Sequence, residues 1–179
     1  MKKVLIVIDM QNDFVTGSLG TPEAQAIIPK VRAKIEEFME TNDTVFYTQD
    51  THYDDYFETL EGKYLPIKHC IKDTTGWDFI PEISEFANGV RILRKESFGL
   101  GVWRTNLRIL LGHYDDYQFE LIGLCTDICV ISNALILRAQ FPNSEIIVHA
   151  DCCAGTTPEK HKVALEVMMN CQIIVEGEE

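Results

Sequence analysis

Short apolar segments rich in β-branched residues alternate with segments of helical period along the chain, and this alternation restricts the fold more than any other feature. Six segments have the length and composition of buried strands; they are residues 4–9, 44–49, 90–94, 119–124, 145–149 and 172–175. Strands separated by helices pair in parallel, because each helix returns the chain to the edge where the previous strand began. The sequence therefore predicts an α/β fold, a doubly wound and mainly parallel six-stranded sheet flanked by helices, in a single domain over residues 1–179.

The predicted helices lie between these strands. The first has apolar residues at helical spacing up to Met39, and it begins either at Thr21, a residue that caps helices, or at Pro29, which suits a first turn. Further helices are predicted over residues 102–111, 127–139 and 158–169. Between the second and third strands the chain is polar and aromatic for about forty residues, and an irregular segment of that length in a compact domain is usually functional.

Charge and hydropathy exclude several classes of partner. Sixteen Lys and Arg residues against twenty-eight Asp and Glu residues give a formal charge of −12, which repels nucleic acid and anionic membranes. Apolar runs are far shorter than the roughly 18 residues that span a bilayer. Asp9 interrupts the first apolar run, so we expect no signal peptide and a cytoplasmic protein. The six cysteines follow no disulfide spacing, and we expect reduced thiols.

Three chemically distinct side chains lie at predicted strand ends, where doubly wound sheets bind their ligands. Asp9 and Lys95 end two of the strands. Cys129 follows a third strand and lies in the first turn of the next helix, with Thr126 as the expected N-cap, so the helix dipole and Lys95 should stabilise its thiolate. Each residue alone has a structural explanation, as a turn carboxylate, a surface lysine or a buried cysteine. Together they favour a cysteine nucleophile.

A metal site is the second candidate. Asp50 and His52 are two residues apart on an extended segment, so their side chains project to the same side. His69 in the long irregular segment offers a third ligand, and Glu58 or Glu61 a further oxygen. Mixed imidazole and carboxylate ligands suit Zn²⁺, Fe²⁺ or Mn²⁺ better than Ca²⁺. An alternative explanation is that these are solvated loop residues.

The order of these motifs resembles one known family. They are the strand segment VIDMQNDF at residues 7–14, the Asp50-x-His52 pair, PIKHC at residues 66–70 and GLCTDICV at residues 123–130. This combination is similar to the isochorismatase-like cysteine hydrolases, and the metal-type spacing is similar to their nicotinamidase and pyrazinamidase branch. The resemblance covers essentially the whole chain. The family fold is the doubly wound sheet already predicted.

The resemblance implies a role for each motif. It implies a catalytic triad of Asp9, Lys95 and Cys129. It also implies a cis peptide bond between Leu124 and Cys125, which would aim the backbone amides of Cys125 and Cys129 at an oxyanion. The family often assembles as dimers or larger oligomers, so we expect a homo-oligomer.

The family's metal ligands correspond to Asp50, His52 and His69, and Glu61 best suits the position of a further glutamate ligand. The resemblance therefore implies a divalent metal ion, with Zn²⁺ preferred and Fe²⁺ or Mn²⁺ as alternatives. With the triad, this ion implies a metal-assisted hydrolysis of a small carboxamide such as nicotinamide, through a thioester on Cys129.

Recognition of the substrate is less well defined by the sequence. We expect Phe14 and Phe98 to line an apolar slot for a small planar ligand. The tryptophan that nicotinamidases usually carry just before the metal histidine is replaced here by the segment LPIK at residues 65–68. Two alternatives therefore stay open: a related amidase or ureidohydrolase acting on a non-pyridine amide, and a non-catalytic binding or redox-sensing member of the fold.

Overall fold

The computed structural model describes residues 1–112 and 116–177. Its described strands form one sheet, and every pair of neighbouring strands in it is parallel. They are β1 (Lys2–Ile8), β2 (Thr44–Asp50), β3 (Ile92–Lys95), β4 (Tyr117–Leu124), β5 (Glu145–Ala154) and β6 (Ile174–Glu176). The order across the sheet is β3-β2-β1-β4-β5-β6. The predicted six-stranded, doubly wound α/β fold is confirmed.

Helices cover both faces of the sheet. They are α1 (Asn12–Val15), α2 (Pro22–Ala26), α3 (Ile28–Glu40), α4 (Leu60–Tyr64), α5 (Pro81–Ser84), α6 (Trp103–Leu111), α7 (Ile131–Gln140) and α8 (Pro158–Asn170). Side chains of α3 and α5 pack on one face, and those of α6, α7 and α8 on the other. Successive residues of β1 alternate between the two cores, because side chains along a strand point to opposite faces. Among the described helices, none is long and apolar enough to cross a bilayer.

Several predicted bounds differ from the structure. β3 begins at Ile92 rather than at residue 90, because residues 89–91 form a 3₁₀ turn. β5 continues to Ala154, five residues beyond its predicted end, because its backbone resumes pairing with β4 after a register shift. The two alternative helix starts are both used: Thr21 caps α2 through a bond from the Ala24 amide, and Pro29 lies in the first turn of α3.

The site-forming edge of the sheet is set by the strand order. Between β1 and β4 the order reverses, and at such a point the following connections leave to opposite faces and open a crevice at the carboxyl ends. Asp9 follows β1 directly, while Asp50 and Lys95 end β2 and β3. Asp50 and Lys95 are directly opposite each other in the β2–β3 pair. The fold therefore brings the predicted strand-end residues to one edge.

Gly123 makes close contact between β4 and β1 possible at this edge. Its φ of +114° is rarely adopted by L residues, and a Cβ there would overlap the carbonyl oxygen of Ile8. We expect Gly123→Ala to lower the free energy of unfolding by about 3 kcal/mol or more, measured by guanidinium denaturation. Gly101→Ala is the control, because nothing lies within 4 Å of a Cβ there, and we expect a change within about 0.5 kcal/mol. Equal denaturation midpoints for the two variants would contradict this reading of the β1–β4 contact.

Candidate active site

Lys95 is the centre of the candidate site. Its side chain is 1% exposed, and Nζ lies 2.7 Å from Asp9 Oδ2 and 3.0 Å from Asp50 Oδ1. The same ammonium donates a hydrogen bond to Cys129 Sγ at 3.5 Å. A buried ammonium between two carboxylates is stabilised by both of them, whereas any one of these charges alone would be costly to bury. The structure therefore brings together the acid, the lysine and the cysteine that the sequence placed at separate strand ends.

Asp9 occupies a turn with left-handed backbone, φ +49°, immediately after β1. It is fully buried, and Oδ1 accepts a hydrogen bond from Thr48 Oγ1 at 2.7 Å. Oδ2 makes the ion-pair contact with Lys95 but has no aligned hydrogen-bond donor among the described residues. Burial raises the pKa of Asp9, and the opposing charge of Lys95 only partly offsets this. A carboxylate with an elevated pKa and an unaligned oxygen is suited to accept a proton.

Cys129 lies in a single π-helical turn, Thr126–Val130, that joins β4 to α7. Burial raises the pKa of its thiol well above the usual value, although the Lys95 charge acts in the opposite direction. The predicted contribution of Lys95 therefore favours the thiolate and acts against burial, which favours the neutral thiol. Thr126 does not cap the turn as predicted: its hydroxyl is hydrogen-bonded to His161 Nδ1 at 2.8 Å. The thiol needs a base before it can act as a nucleophile.

The peptide bond between Leu124 and Cys125 is cis, at the position where the family resemblance places one. The Cys125 carbonyl accepts hydrogen bonds from the amides of Ile128 and Val130, at 3.1 and 3.0 Å, and so closes the turn that holds Cys129. Cys125 is therefore part of the backbone frame of the thiol. Its side chain also lines the cavity described below.

A second cluster, of potential metal ligands, is built on Asp50. One ligand atom from each of Asp50, His52 and His69 lies within 4.8 Å of the others, and all three residues are buried. His52 Nε2 has no hydrogen-bond partner among the described residues, and His69 Nδ1 contacts the Ile67 carbonyl at 3.0 Å, which leaves Nε2 of His69 facing the cluster. Two imidazole nitrogens and a carboxylate facing one point fit a divalent transition metal.

The glutamate that faces this cluster is Glu61, in α4. Its Oε1 lies 3.6 Å from His52 Nε2 and 3.5 Å from His69 Nε2. Glu58, the alternative in the sequence analysis, is exposed. The buried ring of Tyr56 packs against both imidazoles, with centroid distances of 4.9 Å to His52 and 5.2 Å to His69. Burial raises the pKa of Tyr56 to about 12, so its hydroxyl stays neutral and donates to the Leu65 carbonyl.

A cavity of about 980 Å³ lies over both clusters. Cys129, Asp50 and the two histidines line it, as do the predicted substrate-contacting residues Phe14 and Phe98. The Phe14 ring lies 5.5 Å from the ring of His69, whereas Phe98 is 48% exposed at the cavity wall. The thiol and the candidate metal ligands can therefore contact one small molecule.

Two positioning residues were missed by sequence reasoning. Gln11 is fully buried, and its carboxamide bonds both backbone groups of Asp50, donating to the carbonyl at 2.9 Å and accepting from the amide at 2.8 Å. Asn133 in α7 accepts from the Leu100 amide and Trp103 Nε1, and donates to the Cys129 carbonyl at 2.8 Å. A signal was available only for Asn133, a lone amide in the largely apolar segment VISNALIL at residues 130–137, since a buried carboxamide needs partners.

Comparisons with known proteins identify the family and support the fold. The isochorismatase family protein PncA of Bacillus subtilis is 30% identical over 179 residues, covering 95% of this chain and 96% of that protein. The solved structure of Pyrococcus horikoshii pyrazinamidase in complex with zinc is 29% identical, with a TM-score of 0.82 over 98% of each chain. N-carbamoylsarcosine amidase from Thermoplasma acidophilum is 29% identical, with a TM-score of 0.78 over 100% of this chain and 98% of that one. The family model of the isochorismatase domain matches residues 3–179, and this chain belongs to the isochorismatase family.

Proposed function

We propose that this chain is a metal-assisted cysteine amidohydrolase that converts a small carboxamide such as nicotinamide to the acid and ammonia. The observation that supports this proposal most is the contact of Lys95 Nζ with Asp9, Asp50 and Cys129, the last two of which line the cavity. One buried cation there links the base, the nucleophile and the candidate metal cluster. The likeness to a pyrazinamidase, and to a nicotinamidase/pyrazinamidase of Mycobacterium tuberculosis, supports hydrolysis of an amide C–N bond.

The first half of the reaction forms a thioester. Asp9 takes the thiol proton, and Lys95 stabilises the thiolate, which attacks the carboxamide carbon. The backbone amides of Cys125 and Cys129 hold the oxyanion, where a single donor is typically worth about 100- to 1000-fold in rate. As the C–N bond breaks, protonated Asp9 gives its proton to the leaving nitrogen, and ammonia departs.

The second half regenerates the thiol. Asp9, again ionised, takes a proton from water, and the resulting hydroxide attacks the thioester carbon. The C–S bond breaks, the acid is released, and the proton held by Asp9 returns to Cys129. Because burial favours the neutral form of Asp9, taking a proton from the thiol or from water costs less than it would for a solvated carboxylate.

Asp50, His52, His69 and Glu61 are the residues that would hold the metal ion, for which we propose Zn²⁺ first and Fe²⁺ or Mn²⁺ as alternatives. When bound, the ion supplies a positive charge that can bind a substrate ring nitrogen or a water molecule. Asp50, His52, His69 and Glu61 line the same cavity as Cys129, so a metal ion held there would be placed to orient a carboxamide over the thiol. The zinc complex of the Pyrococcus pyrazinamidase supports this assignment.

The assignment of Glu61 gives a prediction about metal affinity. We expect Glu61→Gln to weaken Zn²⁺ binding by about 10- to 100-fold, because the variant removes a charged oxygen facing both histidines. Glu58→Gln removes the same charge from an exposed neighbouring position and should leave the affinity unchanged. Competition with a metal indicator measures both dissociation constants. Equal losses in the two variants would indicate a general charge effect instead of ligation.

Ammonia release from nicotinamide tests the proposed function. The protein is assayed with added Zn²⁺, Fe²⁺ or Mn²⁺, after treatment with a chelator, and after return of the metal. Turnover that the chelator removes and the metal restores is the expected result. Turnover that survives chelation would keep the thiol mechanism and remove the metal from it. No ammonia with any of the three metals would contradict the nicotinamide assignment.

A second candidate is an amidase acting on an N-carbamoyl compound, favoured by the likeness to N-carbamoylsarcosine amidase. The same thiol chemistry would cleave the terminal C–N bond of the carbamoyl group. The nicotinamide assay, repeated with N-carbamoyl amino acids, distinguishes the two candidates. Turnover of these compounds with none of nicotinamide would favour the second.

A further inference from the structure

The cavity over the site is much larger than the substrate class used so far requires. Its volume of about 980 Å³ is at the upper end of the roughly 300–1,000 Å³ range of sites for drug-sized ligands. Nicotinamide is a single ring with one carboxamide. Seated with its carboxamide on Cys129 and its ring nitrogen towards the candidate metal cluster, it would leave most of the cavity unfilled.

The walls beyond the reacting groups are mainly apolar and come from separate parts of the chain. Leu19 lies between α1 and α2; Leu60, Tyr64 and Leu65 lie in or directly after α4; and Ile128 lies in the turn of Cys129. These segments are far apart in the sequence, and each of them contributes side chains to the wall of this cavity. A ligand that reaches all of them must extend away from the thiol.

Two of these wall residues are unusually exposed for their type. Leu60 is 71% exposed and Tyr64 is 85% exposed, and Phe98 on another wall is 48% exposed. Exposed apolar side chains are common singly, but a group of them around a cavity mouth is typical of a ligand-binding surface. An apolar ligand group at this mouth would gain from leaving water roughly in proportion to the area it buries.

Charges around the cavity mouth do not favour an ionic ligand group. The charged wall residues away from the floor are Asp55, Glu96 and Lys160, and all three are exposed. Exposed charges of both signs are well hydrated and select weakly for a charged partner. The ligand group that fits these walls is uncharged.

We propose that the substrate is a primary carboxamide that carries an uncharged apolar group larger than a pyridine ring, bound between the wall residues Leu60, Tyr64 and Phe98. This inference rests on the proposed amide hydrolysis and names its substrate class. The carboxamide lies over Cys129 and the apolar group lies at the cavity mouth. Nicotinamide is then a minimal substrate, which contacts only the part of the cavity around Cys129 and the candidate metal ligands.

A matched pair of amides tests this inference. Nicotinamide is compared with 5-phenylnicotinamide and 6-phenylnicotinamide, which keep the ring nitrogen and the carboxamide and add one apolar ring. We expect at least one phenyl derivative to have a kcat/KM about tenfold or more above that of nicotinamide, since added apolar contact in a complementary pocket gives discrimination of this order. Nicotinamide turnover without any gain for either derivative would overturn the inference and leave the proposed function standing.

Surface variants show whether the gain comes from the cavity mouth. Leu60→Ser and Tyr64→Ser should each reduce the ratio of phenyl-derivative to nicotinamide kcat/KM by about fivefold or more. Ile109→Ser is the control. Ile109 lies on α6 with a 73% exposed side chain, close to the 71% of Leu60 on α4, and it does not line the cavity. An unchanged ratio in the Leu60 and Tyr64 variants would overturn the inference, as would a ratio that changes equally in the control.

Binding without turnover separates this inference from the proposed function. In the Cys129→Ala variant, which cannot form a thioester, calorimetry should show tighter binding of the phenyl derivative than of nicotinamide. Tighter binding together with an inactive wild-type protein would support apolar recognition and contradict hydrolysis. Equal binding of the amides would contradict apolar recognition whatever the turnover.

Discussion

Replacing Cys129 by alanine should lower ammonia release by at least about 10⁴-fold while the protein stays folded. The size of the loss follows from the proposed chemistry, because without the thiol no covalent intermediate forms and only positioning by the remaining groups survives. The side chain is buried and small, so Cys129→Ala removes little packing. Turnover is measured with excess amide, and folding by the denaturation midpoint.

Cys171→Ala is the matched control for this experiment. Cys171 is also a free thiol, but it lies partly exposed directly after α8 and does not line the cavity. Its variant should keep wild-type turnover. In addition, acid-quenched wild-type protein should carry an acyl adduct on the peptide containing Cys129. Substantial activity in Cys129→Ala, or an adduct on another cysteine, would exclude the proposed nucleophile.

The fold was largely predictable because its main signal is local. Continuous apolar runs between helical segments need two covered faces, and a parallel doubly wound sheet provides them. The predicted strand bounds are wrong where the backbone pairing of a strand does not follow its apolar side-chain pattern. In β5, His149 and Asp151 interrupt the apolar pattern, yet the strand continues, and His149 is instead hydrogen-bonded to the buried Glu120 at 2.6 Å. A sequence pattern cannot show a polar partner that comes from a neighbouring strand.

The site was predictable in its parts but not in its electrostatics. Strand-end positions indicated Asp9, Lys95 and Cys129, because parallel strands place their carboxyl ends at one edge. The effect of burial on the thiol was not predicted, since the helix-terminus argument assumes partial exposure and Cys129 is 5% exposed. Gln11 was missed because its role exists only once β2 lies beside it. Burial and long-range pairing are properties of the folded chain.

Lys95 links stability to chemistry. Burial disfavours its ammonium, but the charges around it, chiefly Asp9, outweigh this effect and raise the pKa of Lys95 well above its usual value. Burial likewise opposes ionisation of Asp50, but Lys95 and His52 lower the pKa of that carboxyl. The Lys95 ammonium therefore keeps a buried carboxylate charged and lies beside Cys129, the proposed nucleophile. Removing the Lys95 charge should therefore lower both the free energy of unfolding and the turnover, for two different reasons.

Lys95→Met keeps a similar length and apolar stem but deletes the charge, and we expect two large effects. The free energy of unfolding should fall by about 3–5 kcal/mol, because Asp9 and Asp50 are left buried without their cation. Turnover should fall by about 10³-fold or more, since the thiolate loses its stabilising charge. Guanidinium denaturation of the metal-free protein measures the first effect, so that no metal ion replaces the missing charge, and ammonia release with Zn²⁺ added measures the second.

The double variant Lys95→Met with Asp9→Asn distinguishes a charge effect from a loss of packing. Removing the Asp9 charge eliminates one of the two carboxylates that Lys95→Met leaves without a cation, so the double variant should be more stable than Lys95→Met alone. Turnover should stay absent, because both the base and the cation are missing. If the stability losses simply add, the Lys95 effect is packing, and its buried ammonium is not what holds the site together. If stability recovers and turnover returns with it, Asp9 is not the base, and the proton must pass through another group at this edge of the sheet.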